Sequence, residues 1–126
     1  MKRVVLLEDG EKNFRVYEEI FAREGWEVVL RTDSPARALA AAARADLLVL
    51  GLMLRELNGI EVIGRIREAG LPVKILVLSG LSAQDCIVRT AAAGADHVLC
   101  KPVFPPMLMR AAEQLDSQPV RRLLRG

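Results

Sequence analysis

Short apolar runs alternate with longer amphipathic stretches along the whole chain, and this alternation limits the possible folds more than any other feature. Five runs have the length and the valine and leucine content of buried strands: residues 3–7, 26–30, 46–50, 73–79 and 96–101. A stretch with helical character follows each run. Five strand–helix repeats predict an α/β fold, in which a parallel sheet is covered by helices on both faces and connected by right-handed crossovers.

Local signals mark where the predicted helices begin and end. In the first helix, Tyr17 and Phe21 lie about one turn apart on an apolar face, and Gly25 ends the helix. Ser34 followed by Pro35 is an N-cap with a first-turn proline, which opens an alanine-rich second helix that extends to about residue 44. The last helix is predicted from residue 105 to about residue 116.

The composition fits one globular domain. The chain has 126 residues, 52 % of them hydrophobic, and a net charge of +2, and a domain of this length buries a core without metals or disulfides. We place the domain at residues 1–118 and treat residues 119–126, which begin with a helix-breaking proline, as a tail or the start of a linker. Without a membrane-spanning run or a signal-peptide pattern, the expected location is cytoplasmic.

The cysteines and the basic tail carry weak signals. Cys86 and Cys100 lack a CxxC spacing, so we interpret them as reduced, partly buried thiols. Arg121, Arg122 and Arg125 make the tail basic, and such tails contact nucleic acids or membranes in some proteins. Three arginines beside two leucines are more typical of a helix end or a linker. We therefore expect neither membrane contact nor direct nucleic-acid binding by this domain.

Polar residues follow the predicted strands at the edge where parallel α/β sheets bind ligands. Glu8 and Asp9 come after the first strand, Ser79 ends the fourth, and Lys101 ends the fifth. Two adjacent carboxylates are stable beside a cation, either Mg²⁺ or a lysine ammonium, and a hydroxyl donates to phosphoryl oxygens. Together they form a credible phosphoryl-binding pocket. The alternative is that the two acids only interact favourably with the next helix dipole.

With these residues in place, the chain up to about residue 115 resembles the receiver domain of bacterial two-component response regulators. The resemblance rests on the segments VVLLEDG, DLLVLGLMLRELNG, ILVLSG and AGADHVLCKP, in this order. It implies a flavodoxin-like fold with strand order 2-1-3-4-5 and five flanking helices. It also implies Mg²⁺ bound by the acid pair, and phosphorylation of an aspartate at the end of strand three by a histidine kinase.

Each family role is assigned to a matching position of this chain. The resemblance implies metal binding by Glu8, Asp9 and the backbone carbonyl of Met53, and contacts to the phosphoryl group from Ser79 and from Lys101 with Pro102. Three positions depart from the family pattern: Gly51 replaces the phosphoacceptor aspartate, Val98 replaces an aromatic residue, and Arg55 stands where a proline is frequent.

Glycine at position 51 argues against the usual mechanism, because an acyl phosphate needs a carboxylate and glycine has none. We predict that Lys101 neutralises Glu8 and Asp9, that Mg²⁺ binding is weak or absent, and that the domain signals without phosphorylation. One alternative is phosphorylation of another carboxylate, namely Glu8, Asp9 or Glu56. A second alternative is a small molecule bound in the space that residue 51 leaves empty.

Signalling without phosphorylation leaves protein contacts as the expected output. In the family this surface comprises helix four, strand five and helix five, and we assign Arg89, His97, Met109 and Arg110 to it. The expected partners are another protein, a second copy of the chain or a covalently attached effector domain. The chain has no GxGxxG or Walker pattern, and we expect no enzymatic activity.

Overall fold

The computed structural model describes residues 2–8, 11–51, 59–80 and 84–119, and for residues 11–14 and 84–87 it describes the backbone alone. Strands and helices alternate in this part of the chain. In order, they are β1 (Arg3–Leu7), α1 (Glu11–Arg23), β2 (Glu27–Thr32), α2 (Pro35–Ala42), β3 (Leu47–Gly51), α3 (Gly59–Glu68), β4 (Lys74–Ser79), α4 (Gln84–Ala93), β5 (His97–Cys100) and α5 (Pro105–Ser117).

The five strands form one parallel sheet in the order β2-β1-β3-β4-β5. Strand β3 lies between β1 and β4, with Leu7 opposite Leu50 and Gly51 opposite Leu78. The predicted fold and strand order are therefore confirmed. Because all strands are parallel, the residues that follow β1, β3, β4 and β5 reach the same edge of the sheet.

Two apolar layers cover the sheet, one on each face. Successive residues of β1 alternate between them: Val4 and Leu6 join the layer that includes α1 and α5, whereas Val5 and Leu7 join the layer that includes α2 and α3. This alternation is the period of a strand whose two faces are both buried. Within the described residues, no helix is both long and apolar enough to cross a membrane.

Most predicted boundaries lie within two residues of the observed ones, and the exceptions have physical reasons. Strand β2 runs from Glu27 to Thr32 instead of from residue 26 to residue 30, because Trp26 packs edge-on against Phe21, with ring centroids 5.3 Å apart, before the strand begins. Gly25, at a φ of 86°, makes this turn after α1. The predicted N-cap is present, since the Ser34 side chain accepts a hydrogen bond from the backbone N–H of Arg37.

Of the two cysteine side chains, the structure describes only that of Cys100. Cys100 is exposed at the end of β5, so the prediction of a partly buried thiol was wrong for this residue. As the last residue of an edge strand, it has a neighbouring strand on one side only. The side chain of Cys86 and the basic residues of the tail lie outside the described part of the chain.

Candidate functional site

The carboxyl edge of the sheet brings Glu8 and Lys101 together. Glu8 directly follows β1, its backbone N–H donates to the carbonyl of Thr32 over 3.1 Å, and its side chain is buried. Lys101 directly follows β5, and its backbone N–H donates to the carbonyl of Ser79 over 2.7 Å. The Nζ atom of Lys101 lies 3.4 Å from Oε2 of Glu8, an ion pair in which the lysine side chain is 28 % exposed and the glutamate 6 %.

Gly51, the last residue of β3, lies directly beneath this ion pair. A Cβ atom with standard geometry on Gly51 would lie 2.5 Å from Oε2 of Glu8, 2.8 Å from Cδ and 2.9 Å from Oε1. These distances are shorter than van der Waals contact, so the Glu8 carboxylate occupies the space where a side chain at position 51 would begin. The empty space predicted beside Gly51 is therefore filled by Glu8, which removes the basis for a small molecule bound there.

Tyr17 of α1 is a titratable group whose pKa responds to this carboxylate. Burial, and secondly the charge of Glu8, raise the pKa of the Tyr17 phenol above its ordinary value of 10.0. The helical spacing of the sequence places Tyr17 on the apolar face of α1, and the structure agrees, because Tyr17 belongs to the apolar layer there. No local sequence pattern indicates that Tyr17 lies close to Glu8, since that depends on how α1 packs against the end of β1.

The remaining predicted pocket residues lie on β4, on β5 or directly after β5. Ser79 is the last residue of β4 and is 1 % exposed. Val98 lies opposite Val77 in the sheet and is half-buried against the apolar layer of α2 and α3. The peptide bond between Lys101 and Pro102 is cis. Ser79 and Lys101 thus reach the same edge, where the backbone N–H of Lys101 donates to the carbonyl of Ser79.

The predicted Mg²⁺ donors are only partly described. Asp9 and Met53 lie outside the described residues, as do Arg55 and the alternative acceptor Glu56. Mg²⁺ needs a nearly octahedral set of oxygen ligands, and in the part of the chain that is described no three acidic, histidine or cysteine side chains could hold a metal ion. The one described donor, Glu8, pairs with an ammonium group instead. The described residues alone therefore do not fit the ion.

The predicted output residues lie around β5 and its neighbouring helices. Arg89, His97 and Arg110 are exposed, and His97 and Arg110 line the same surface groove between β5 and α5. Met109 is half-buried and packs against the apolar layer of α1 and α5. Met107, which the sequence did not single out from Met109, is 41 % exposed and lines the groove instead.

The fold and this edge define a class of protein: an α/β domain whose candidate pocket lies at the carboxyl ends of parallel strands. The chain belongs to the response regulator receiver domain family, whose model matches residues 4–113. No helix in the described residues spans a membrane, and the family consists of signalling modules of two-component response regulators.

Curated relatives are identical to this chain at about a third of the aligned positions. It is 32 % identical over 116 residues to the alginate biosynthesis transcriptional regulatory protein AlgB of Pseudomonas aeruginosa, a match that covers 90 % of this chain and 26 % of AlgB. It is 35 % identical over 102 residues to the cell cycle transcriptional regulator CtrA of Caulobacter vibrioides, covering 79 % of this chain and 44 % of CtrA. The chain thus spans about a quarter to a half of the length of these relatives.

Solved structures confirm the fold at lower identity. The signal receiver domain of NarL from Mycobacterium tuberculosis superposes with a TM-score of 0.87 at 21 % identity, covering 94 % of this chain and 98 % of that domain. A chain in the complex of CheX with CheY, BeF₃ and Mg²⁺ from Borrelia burgdorferi gives a TM-score of 0.86 at 16 % identity. This match covers 93 % of the present chain and 90 % of the matched one. At these identities the similarity establishes the fold alone.

Proposed function

We propose that this chain is a receiver domain that signals through protein contacts without phosphorylation of residue 51. The observation that carries this proposal is the position of the Glu8 carboxylate, whose Oε2 atom lies 2.5 Å from where a Cβ of residue 51 would be. Gly51 offers no oxygen on which an acyl phosphate could form. The lysine expected to contact a phosphoryl group is instead 3.4 Å from the Glu8 carboxylate.

This arrangement keeps the pocket in one state. In a pocket with an acceptor aspartate, the lysine has a carboxylate of the third strand as its partner, and that carboxylate changes when it is phosphorylated. Here the partner comes from the end of β1 and cannot be changed at position 51. The buried position of Glu8 strengthens its attraction to Lys101 relative to an exposed pair. The ion pair therefore supports a fixed arrangement of the strand ends.

Weak Mg²⁺ binding is part of the proposal. With Gly51 the expected pocket has two carboxylates and one lysine, a formal charge of about −1, where three carboxylates would give about −2. Mg²⁺ loses a direct ligand and must compete with Lys101 for Glu8. We expect at least about tenfold weaker Mg²⁺ binding than in the Gly51→Asp variant. Isothermal titration calorimetry with Mg²⁺, compared between the chain and this variant, measures the difference.

Receiver domains interact with other proteins and with effector domains, and we propose that this one does so through α4, β5 and α5. The matched relatives named above are transcriptional regulators that extend well beyond the matched region. An attached effector domain in the same polypeptide, a separate protein and a second copy of the chain are the candidate partners. We assign no nucleic-acid contact and no enzymatic step to the domain itself.

A mass spectrum of the intact protein after incubation with acetyl phosphate and Mg²⁺ tests the proposal. We expect the chain to gain no phosphoryl group and the Gly51→Asp variant to gain one, because Glu8 is the flexible end of a side chain and can move aside. A phosphoryl group on the unmodified chain would contradict the proposal. Peptide mapping of the labelled chain would then identify the acceptor among Glu8, Asp9 and Glu56, because Glu8→Gln alone would also remove a predicted Mg²⁺ ligand.

A further inference from the structure

A groove lies on the surface between β5 and α5. Its volume is about 250 Å³, which accommodates one or two side chains of a partner. Four of its lining residues are apolar: Leu99, Pro106, Met107 and Ala111. The polar part of the lining includes His97 at the start of β5 and Arg110 on α5.

Large apolar side chains remain exposed at and beside this groove. Met107 is 41 % exposed, and Phe104, which precedes α5, is 60 % exposed. Single exposed apolar residues are ordinary, but an apolar groove together with such neighbours is typical of a surface that binds another protein. Methionine adapts its shape to different partners. The groove therefore offers apolar contact without a fixed shape requirement.

The side chains that line the groove include a permanent positive charge and, among the described residues, no negative charge. None of the described residues that line it carries a carboxylate, whereas Arg110 is always protonated at neutral pH and is exposed. The nearest acid of α5 in sequence, Glu113, binds Lys2 over 2.8 Å and accepts a bond from the Trp26 indole over 3.4 Å. Its charge is thus already engaged at the β1 side of α5, and it does not neutralise Arg110.

We infer that this groove binds an acidic, apolar segment of a partner protein, with a carboxylate beside Arg110 and His97 and an aliphatic or aromatic side chain against Met107 and Leu99. This inference rests on the proposed function in that it specifies the partner of the proposed output surface. A second copy is a poor occupant. If two copies met symmetrically through this groove, each Arg110 would face the same groove of its partner, where the described lining has no carboxylate to pair with it.

Selection from a displayed library of random-sequence peptides tests the inference without a known partner. The full chain is immobilised, and bound peptides are sequenced. We expect the enriched peptides to combine at least one Asp or Glu with neighbouring Leu, Ile, Phe or Trp. We further expect Arg110→Glu to weaken the best peptide by at least about tenfold, and Met107→Ala to weaken it as well. Replacing the acidic residue of that peptide by lysine should restore binding to the Arg110→Glu variant.

Arg37→Glu is the matched control. Arg37 is an exposed arginine on α2, so its replacement changes the net charge equally at a distant site, and the affinity should stay within about twofold. Thermal unfolding of each variant verifies that it folds. Absence of enrichment, peptides without acidic residues, or equal loss with Arg37→Glu would overturn the inference. Concentration-dependent self-association that Arg110→Glu abolishes would overturn it in favour of a second copy.

The two proposals fail in different experiments. Peptide binding is measured without acetyl phosphate, so it does not depend on whether any residue of the chain accepts a phosphoryl group. Phosphorylation of the unmodified chain would contradict the proposed mechanism and leave peptide selection to be judged by its own result. Failed selection, with an unphosphorylated chain, would contradict the assigned partner alone.

Discussion

At the scale of single residues, the missing side chain of Gly51 is compensated by its neighbour on the adjacent strand. Protein interiors pack densely and leave few voids, and Glu8 follows β1, which pairs directly with β3. A glutamate is long enough to place its carboxylate over the Gly51 backbone while still reaching Lys101. The glycine and the glutamate therefore form one unit, and the effect of changing either residue should depend on the other.

Gly51→Ala should reveal this dependence through the sign of its effect on stability. In the unmodified chain the new methyl group would lie 2.5 Å from Oε2 of Glu8, so we expect a loss of about 1 kcal/mol in the free energy of unfolding. In a Glu8→Ala background the same change should stabilise by about 0.5 kcal/mol, because alanine loses less backbone entropy than glycine. Urea unfolding of the unmodified chain, Gly51→Ala, Glu8→Ala and the double variant measures both values. Equal effects of Gly51→Ala in both backgrounds would rule out the contact.

Tyr17 should report the charge of Glu8. It is the only tyrosine of the chain, so the ultraviolet absorbance of the phenolate follows one group. Burial and the Glu8 charge raise its pKa above 10.0, so Glu8→Gln should lower the pKa while leaving it above that value. Glu19→Gln is the control, because Glu19 is an exposed residue of the same helix. An unchanged titration in Glu8→Gln would place the carboxylate elsewhere.

The raised pKa of Tyr17 also predicts how the stability of the fold changes at alkaline pH. The folded chain holds the Tyr17 proton more tightly than the unfolded chain, since its pKa is raised on folding. This contribution to stability is fully present below pH 10.0, the ordinary pKa, and is lost as the pH rises through the folded-state pKa. We expect the loss to be smaller in Glu8→Gln. Urea midpoints measured across this range test the sign, and a midpoint that rose there would contradict it.

At the scale of elements, the end of α3 is held by one arginine, Arg67, whose side chain is 11 % exposed. The Arg67 guanidinium donates to the carbonyls of Leu71, Val73 and Gly94 at 2.9, 2.7 and 3.1 Å, and to Asp96 at 2.8 Å. These partners belong to the segments before β4 and before β5. A single side chain thus connects α3 to two strands at the amino edge of the sheet, where the backbone carbonyls would otherwise lack these donors.

Replacing Arg67 by methionine should therefore cost about 3–5 kcal/mol in the free energy of unfolding, because it leaves the carboxylate of Asp96, 12 % exposed, without this partner. Arg65 in the same turn is the matched control. It pairs with Glu61 at 3.0 Å, but the side chains are 60 % and 50 % exposed, so Arg65→Met should change stability by less than about 0.5 kcal/mol. Comparable losses of unfolding free energy for Arg67→Met and Arg65→Met, measured by urea unfolding, would contradict the stabilising role assigned to Arg67.

At the scale of the whole molecule, the candidate site and the Arg67 network lie at opposite edges of the sheet. Glu8, Gly51 and Lys101 meet at the carboxyl edge, whereas the Arg67 network lies at the amino edge. Local sequence patterns predicted all ten elements, because the apolar strands, caps and turn residues each act over a few positions. The edge at which the site residues meet also followed, since parallel strands end together.

What could not be predicted depends on contacts between distant segments. The sequence predicted an ion pair between Lys101 and the acid pair, but not that the Glu8 carboxylate would fill the space at Gly51, which requires the side-chain conformation and the packing of β1 on β3. Lys74 is a second example. It opens a strand that is buried along its whole length, and its Nζ donates to the carbonyls of Leu115 and Gln118 at 2.9 and 3.0 Å. No local pattern indicates that partner.

Lys74 closes the carboxyl end of α5 with a positive charge, where the helix dipole is negative and the last carbonyls lack intrahelical donors. Lys74→Met keeps the aliphatic chain and removes both bonds, so we expect a loss of about 1–3 kcal/mol in the free energy of unfolding. Amides of residues 115–118 should exchange with deuterium at least about tenfold faster. Lys2→Met is the control, because Lys2 binds Glu113 of the same helix from a more exposed position.

The pKa of Tyr17 should stay unchanged in Lys74→Met, because Tyr17 lies near Glu8 at the opposite edge of the sheet from Lys74. This combination of results separates two views of the molecule. If faster exchange remained confined to α5, the end of that helix and the pocket would be independent, and a partner bound to α5 could act without changing the Glu8–Lys101 pair. A shift in the Tyr17 titration would instead show that the two edges of the sheet are coupled.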